Sequence, residues 1–201
     1  MRRIIVLILS LLVLLAGCNS IKPSNDETDP HNNENDNNEP QIELDDVVKA
    51  YQTASEATSW FRIASLLEDG SHGAIDMTTQ VTYNDFNYFR AKQYDTYSEF
   101  IDYLGTLFSD ELIESLLSYN GTMYINHNGY LYGRFGIRGT NIFIGDESYE
   151  IEYVNDSKIN LLVKVEVMDE DLSTVKEYQT FIFPYENIEE KWVFTDFPEI
   201  R

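Results

Sequence analysis

Tyr149-Glu150-Ile151-Glu152-Tyr153, followed shortly by Ile159-Asn160-Leu161-Leu162-Val163-Lys164-Val165-Glu166-Val167, decides the fold class of this chain. Successive side chains of a strand point to opposite faces, so a period of two puts the apolar members of each run on one side. The other side carries Glu150, Glu152, Asn160, Lys164 and Glu166, with Leu162 the exception. Two half-buried strands follow from this pattern, and they need neighbours. Upstream, residues 123–127 and 130–135 flank Asn128-Gly129, whose tolerance of positive φ makes it the strongest hairpin signal in the chain. Downstream, residues 175–185 and 191–197 read as the closing strands, joined by the acidic turn Glu186-Asn187-Ile188-Glu189-Glu190.

The turn before them, Asp169-Glu170-Asp171-Leu172-Ser173, begins like a calcium loop. Thr174 stands where the sharp turn needs glycine, and Thr180 where the bidentate glutamate belongs. An acidic hairpin turn is the favoured reading, with a weak exposed calcium site as the alternative.

Toward the N-terminus the period changes. Leu44, Val47, Val48, Tyr51, Ala54, Thr58 and Phe61 recur at three- and four-residue steps, a helix with nothing to break it before Gly70. Glu68 to Gly73 is turn-rich, and the aromatics between Val81 and Gln93 suggest extended chain with imperfect alternation. Residues 97–117 form a second helical region in two pieces. Phe100, Ile101, Leu104 and Phe108 make one stripe, and Leu112, Ile113, Leu116 and Leu117 the next. Ser109 separates them as an N-cap, followed by Asp110 and Glu111 at the positive end of the helix dipole. Helices first and strands afterwards predict an α+β domain. Its N-terminal helices pack on a curved, mainly antiparallel sheet of about five to six strands.

Residues 43–201 suffice for one domain with its own core. What precedes them is different in kind. Residues 19–42 have no aromatic side chain, are crowded with Asn, Asp and Glu, and contain Pro23, Pro30 and Pro40. Such a segment buries too little apolar surface to offset chain entropy, and reads as a flexible acidic stalk with a reach of roughly 25–30 Å. Before it, Arg2 and Arg3 lead into an apolar run from Ile4 to Leu15, interrupted only by Ser10. That run is shorter than the roughly 20 residues a permanent span requires. It ends in Leu15-Ala16-Gly17-Cys18, which resembles the lipobox of bacterial lipoproteins. The resemblance implies a signal peptide over residues 1–17, cleavage before Cys18, and lipidation of Cys18. An extracytoplasmic location tethered to the cell membrane follows, with anchoring of about 0.8 kcal/mol per buried methylene. Cys18 is the single cysteine, so no intramolecular disulfide supports the fold.

Charge narrows the partners. Of the formal −21, the leader carries +2 and the stalk −5, leaving −18 on residues 43–201. Such a field disfavours nucleic acid and anionic bilayers and favours a basic protein partner, although it also serves plain solubility.

Catalysis finds little support. The only thiol is the lipidated one, and His31, His72 and His127 lie in the stalk, a glycine-flanked loop and beside a tight turn. No nucleophile elbow, cofactor motif or metal-ligand spacing stands out, and the many carboxylates single out no pair. The expectation is a non-enzyme without cofactor or metal. Fourteen tyrosines and eleven phenylalanines are the remaining resource. Tyr130, Tyr132, Tyr149, Tyr153 and Trp192 fall on strands, where they either line a cleft or fill the helix–sheet core.

The order of elements resembles the nuclear-transport-factor-2-like superfamily. More locally, Tyr97-x-x-Phe100-x-x-Tyr103-Leu104, Leu107-Phe108-Ser109, Gly129-Tyr130-Leu131-Tyr132 and Lys191-Trp192-Val193-Phe194 resemble the DL-endopeptidase inhibitor (IseA-type) family of Gram-positive bacteria. The likeness covers residues 94–197. It implies an extracellular domain that binds and restrains peptidoglycan hydrolases, with Tyr130, Tyr132 and Trp192 as candidate contacts. The lipid anchor and acidic stalk depart from that family. The alternative function is a small-molecule or peptide receptor using a cavity on the sheet.

Overall fold

The chain divides after Glu39 into two units. The computed structural model describes residues 42–63, 75–118, 123–134 and 141–200, all in the second unit. The leader, Cys18, His31, the stalk up to residue 41, and the loop containing Gly70 and His72 lie outside the described residues. No helix among the described residues is long and apolar enough to cross a membrane.

The domain is α+β. Helix α1 (Leu44–Ile63) follows the expected stripe: Val47, Tyr51, Ala54, Thr58 and Phe61 are buried on one side. Asp45 and Asp46 occupy its first turn, where the helix dipole favours negative charge. Helix α2 (Tyr97–Leu104) is nucleated by a capping box. The Glu99 N–H donates to Thr96 Oγ1 and the Thr96 N–H to Glu99 Oε2, each at 3.1 Å. Helix α3 (Asp110–Ser118) begins after Ser109, whose Oγ accepts from the Leu112 N–H at 3.3 Å, the capping role its sequence position requires.

Among the described residues eight strands form two four-stranded antiparallel sheets, where the sequence predicts one sheet of about five to six strands. The difference starts at Asn84-Asp85. Both residues have positive φ (48° and 64°), so the aromatic stretch around them folds into a hairpin of β1 (Ile75–Tyr83) and β2 (Phe86–Ala91) instead of a single extended segment. With β3 (Tyr124–His127) and β4 (Tyr130–Gly133), this hairpin builds the first sheet in the order β1-β2-β4-β3. The Asn128-Gly129 turn joins β3 to β4 as the sequence predicts, with φ of 56° and 86°.

The second sheet runs β5 (Ile144–Asn155), β6 (Lys158–Met168), β7 (Val175–Ile188) and β8 (Lys191–Phe194) in sequence order. Ile159, Leu161, Val163 and Val165 are buried, as the period of two demands. The acidic turn before β8 is shorter than its composition implies. Glu186 stays in β7 because Lys158 Nζ and Thr195 Oγ1 both donate to its Oε1 at 2.8 Å, holding its carboxyl below the usual range. Only Glu189 and Glu190 make the turn.

One hydrophobic cluster takes side chains from both sheets and all three helices. Phe183 and Phe197 pack on Tyr51 with ring centroids 4.9 and 5.7 Å away, while Phe61, Phe100 and Tyr124 form a second knot at 5.0 to 6.1 Å. The helices are stitched to the second sheet by backbone: Phe194 N–H donates to Leu107 C=O and Ser109 N–H to Phe194 C=O, both at 2.9 Å. The Tyr97 N–H at the start of α2 donates to Gly129 C=O at 3.0 Å, fixing the tight hairpin against that helix.

Candidate partner-binding face

Strand alternation gives the first sheet two unlike faces. Phe89 and Ala91 of β2, Leu131 of β4 and Tyr124 of β3 turn into the main core. Their neighbours Tyr88, Arg90, Tyr130, Tyr132, Ile125 and His127 therefore turn outward. The β1–β2 register, with Val81 opposite Tyr88 and Tyr83 opposite Phe86, adds Val81 and Tyr83 to this outer face.

The outer face has a floor and a rim. Tyr88, Ile125 and Tyr132 are buried in a small cluster of their own, with Val81 packed against it. Burial raises the Tyr88 phenol above its ordinary value. Around the floor stand Tyr83, Phe86 and Tyr130, exposed by 50, 49 and 42%. The Arg90 guanidinium carbon lies 3.8 Å from the Tyr130 ring centroid and that of Arg134 lies 4.2 Å from Phe86. Each such stack contributes about 0.5–1 kcal/mol at an exposed site. The His127 ring lies 5.3 Å from Tyr132. Asp76, opposite Arg90 across the strands, is held below the usual carboxylate range by hydrogen bonds from Thr78 and, further down, by Lys92 and Arg90. The face is therefore aromatic, with Arg90 and Arg134 laid over two of its rings and Asp76 beside Arg90.

Of the three contact residues expected from sequence, two meet here: Tyr130 on the rim and Tyr132 in the floor. Trp192 does not join them. It lies on β8 in the other sheet, half-buried against the main core, its ring 5.4 Å from Tyr185. Tyr149 is half-buried on the core beside Tyr51, and the Tyr153 hydroxyl donates to Ile42 C=O at 3.0 Å. Tyr83, Phe86, Arg90 and Arg134 join the face without any local pattern of their own in the sequence to mark them as contacts. The signal that could have found them was the Asn84-Asp85 pair, two residues that tolerate positive φ and so align Tyr83 with Phe86.

A second polar grouping sits at the core margin. Glu147 Oε2 accepts from Tyr149 OH at 2.8 Å and from Tyr51 OH at 3.4 Å. Burial first, and the Glu147 charge second, push the Tyr51 phenol up, so it stays a protonated donor. The grouping ties α1 to β5 and offers no nucleophile. In the turn between β6 and β7, Asp171 Oδ1 accepts from the Ser173 and Thr174 N–H groups and Oδ2 from Thr174 Oγ1. These bonds hold its carboxyl at about 2 and make the segment an acidic hairpin turn. Among the described residues no group of three His, Cys, Asp or Glu side chains converges as a metal site would. No protein-family model matches the chain, and no curated protein matches it significantly.

Proposed function

We propose that the chain is a lipoprotein tethered outside the cell membrane through Cys18, and that its folded domain binds and restrains a basic cell-wall hydrolase of the DL-endopeptidase type. The reading joins the lipobox-like Leu15-Ala16-Gly17-Cys18 and the IseA-type resemblance to one structural observation. That observation is the outer face of the first sheet, where three exposed aromatics ring a buried aromatic floor. Exposed apolar patches with aromatic anchors are the usual form of a protein contact. The aromatics that would otherwise line a ligand cavity pack on one another in the core, which supports a surface contact over an enclosed small molecule. The domain's −18 charge steers a basic partner into encounter, and the aromatic face carries the contact.

The test is inhibition of a purified DL-endopeptidase by the chain from Cys18 onward. Tyr130→Ala is expected to weaken inhibition by roughly tenfold or more, the loss typical of an interface anchor. Association slows steeply with added salt while dissociation changes less. A wild-type chain without effect on several such enzymes at low salt and micromolar concentration removes the hydrolase reading.

A further inference from the structure

The four outer strands of the two sheets are not protected alike. In the first sheet, β1 is interrupted by a bulge between Asp76 and Val81, and β3 has four residues. In the second, β5 carries two register shifts and the charges of Asp146, Glu147, Glu150 and Glu152. Bulges, shortness and charge are the devices that keep a sheet edge from pairing with another chain. The remaining edge lacks them. Strand β7 is 14 residues long, and β8 pairs with it only across Tyr185, Glu186, Asn187 and Ile188.

The backbone directions along β7 can be read from one hydrogen bond. Thr195 N–H donates to Pro184 C=O at 3.1 Å, so residue 184 turns its carbonyl toward the β8 side. Backbone groups alternate with the strand period, so Ile182, Thr180 and Tyr178 turn both N–H and C=O the same way, while Gln179, Phe181 and Phe183 face β6. Beyond Pro184 no strand among the described residues pairs with β7 on that side. Pro184, which has no N–H, closes the edge at one end, and Lys176 and Glu177 bound it at the other. Between them Tyr178-Gln179-Thr180-Phe181-Ile182 holds no charge.

We infer that this stretch of β7 is a docking edge for an extended segment of a partner polypeptide, added as a further strand of the second sheet. The side chains beside the edge define the segment's centre. Tyr178 and Ile182, exposed by 57 and 51%, flank it on one face and half-buried Phe181 on the other, so apolar or β-branched residues fit on both sides. Charge defines the flanks. Lys164, stacked over Tyr178 at 4.4 Å, and Lys176 are the nearby cations; Glu166, Glu177, Asp169 and Glu170 outnumber them, and the whole domain is at −18. The occupant is therefore a strand with an uncharged centre and basic ends, and mutual repulsion disfavours a second copy of this chain. The inference is independent of the aromatic face of the first sheet.

The probe is the peptide KKVTVTVKK, mixed with the full chain while amide hydrogen exchange is followed residue by residue. Exchange at Tyr178, Thr180 and Ile182 should slow by roughly tenfold or more at saturation, because those amides gain strand partners. Gln179 and Phe181, already paired with β6, should change little. Methylating alternate backbone nitrogens of the peptide keeps its charge and should abolish the protection. Thr180→Pro should do the same, since the N–H it removes is outside the existing ladder. Ile182→Lys guards the edge without touching the backbone and serves should the proline variant not fold. Equal binding by the methylated peptide overturns the inference, as does protection at other sites. So does protection that grows with protein concentration in the absence of peptide and accompanies a doubled mass.

Discussion

Tyr124 shows what a single side chain does in this domain. Its ring is buried between Phe61 and Phe100, and its hydroxyl donates to Trp60 C=O at 3.0 Å. Trp60 belongs to the last turn of α1, whose carbonyls lack partners within the helix, so this phenol satisfies one of them from 64 residues away in sequence. Tyr124→Phe keeps the ring and removes the donor; the expected cost is about 1–2 kcal/mol, seen as a lower urea midpoint with an unchanged slope. An unshifted midpoint would show that water reaches the carbonyl. The sequence identifies Tyr124 as a strand residue, but its partner is a backbone atom of a distant helix, which no local pattern records. At Cys18 the residue's own chemistry decides the outcome. Replacing it with serine removes the thiol that the proposed lipidation requires, so if the tether exists a radiolabelled fatty acid should mark the wild-type chain and leave Cys18→Ser unlabelled. Label on the variant would remove the tether from the proposed function.

At the scale of elements, legibility depended on whether the instruction was local. The helix stripe from Val47 to Phe61, the Ser109 cap, the Asn128-Gly129 turn and the alternation of β6 each lie in a few adjacent residues, and each appears in the structure where the sequence places it, while Leu44 at the helix start is exposed. The β1–β2 hairpin is hidden in the sequence because Asn84-Asp85 lacks the glycine that marks such turns. The same missing glycine hides half of the candidate face. Tyr130 and Tyr132 are marked by the Asn128-Gly129 turn beside them, whereas Tyr83, Phe86 and Arg90 join them only through pairing. The β7–β8 turn was obscured by acidic residues, and here the chain breaks a local rule. Glu189 and Glu190 both hold positive φ, 50° and 66°, at a cost of about 1–2 kcal/mol each relative to a residue suited to that region. Replacing the pair by Asn-Gly should stabilise the domain by about 1–2 kcal/mol after glycine's entropy cost. Thermal unfolding checks it, and the Gln-Gln variant separates backbone relief from the loss of two negative charges. Equal gains from both variants would assign the effect to charge.

The molecule as a whole is an acidic surface around a core rich in phenols, and this sets its response to pH. Tyr51, Tyr94, Tyr97, Tyr103, Tyr124 and Tyr185 all have phenols raised above 10.0, chiefly by burial, with Tyr94 pushed up to about 12. Glu147 adds to the shift at Tyr51 and Asp46 at Tyr185. A phenol with a raised folded value keeps its proton in the native state after the unfolded chain has lost it. The stability it contributes is therefore complete below about pH 10 and falls as pH climbs through the folded value. Ionisation there also adds negative charge to a domain already at −18, which acts in the same direction. Acid works differently. Asp76, Asp171 and Glu186 have lowered carboxyl values, so their contributions exist above the unfolded value and are lost as pH falls through the folded one. Asp171 is exposed and Asp76 and Glu186 partly so, which weakens their contributions, while protonation of the other carboxylates relieves repulsion. Urea unfolding should therefore give similar stability at about pH 5 and about pH 8 and a clear loss at about pH 11. The share of tyrosinate absorbance that comes from the buried phenols should rise together with the loss of far-ultraviolet ellipticity, because those phenols titrate when the core opens. Tyrosinate formation complete before any loss of structure would show that water reaches these hydroxyls in the folded domain, and that the aromatic core is less closed than its packing implies.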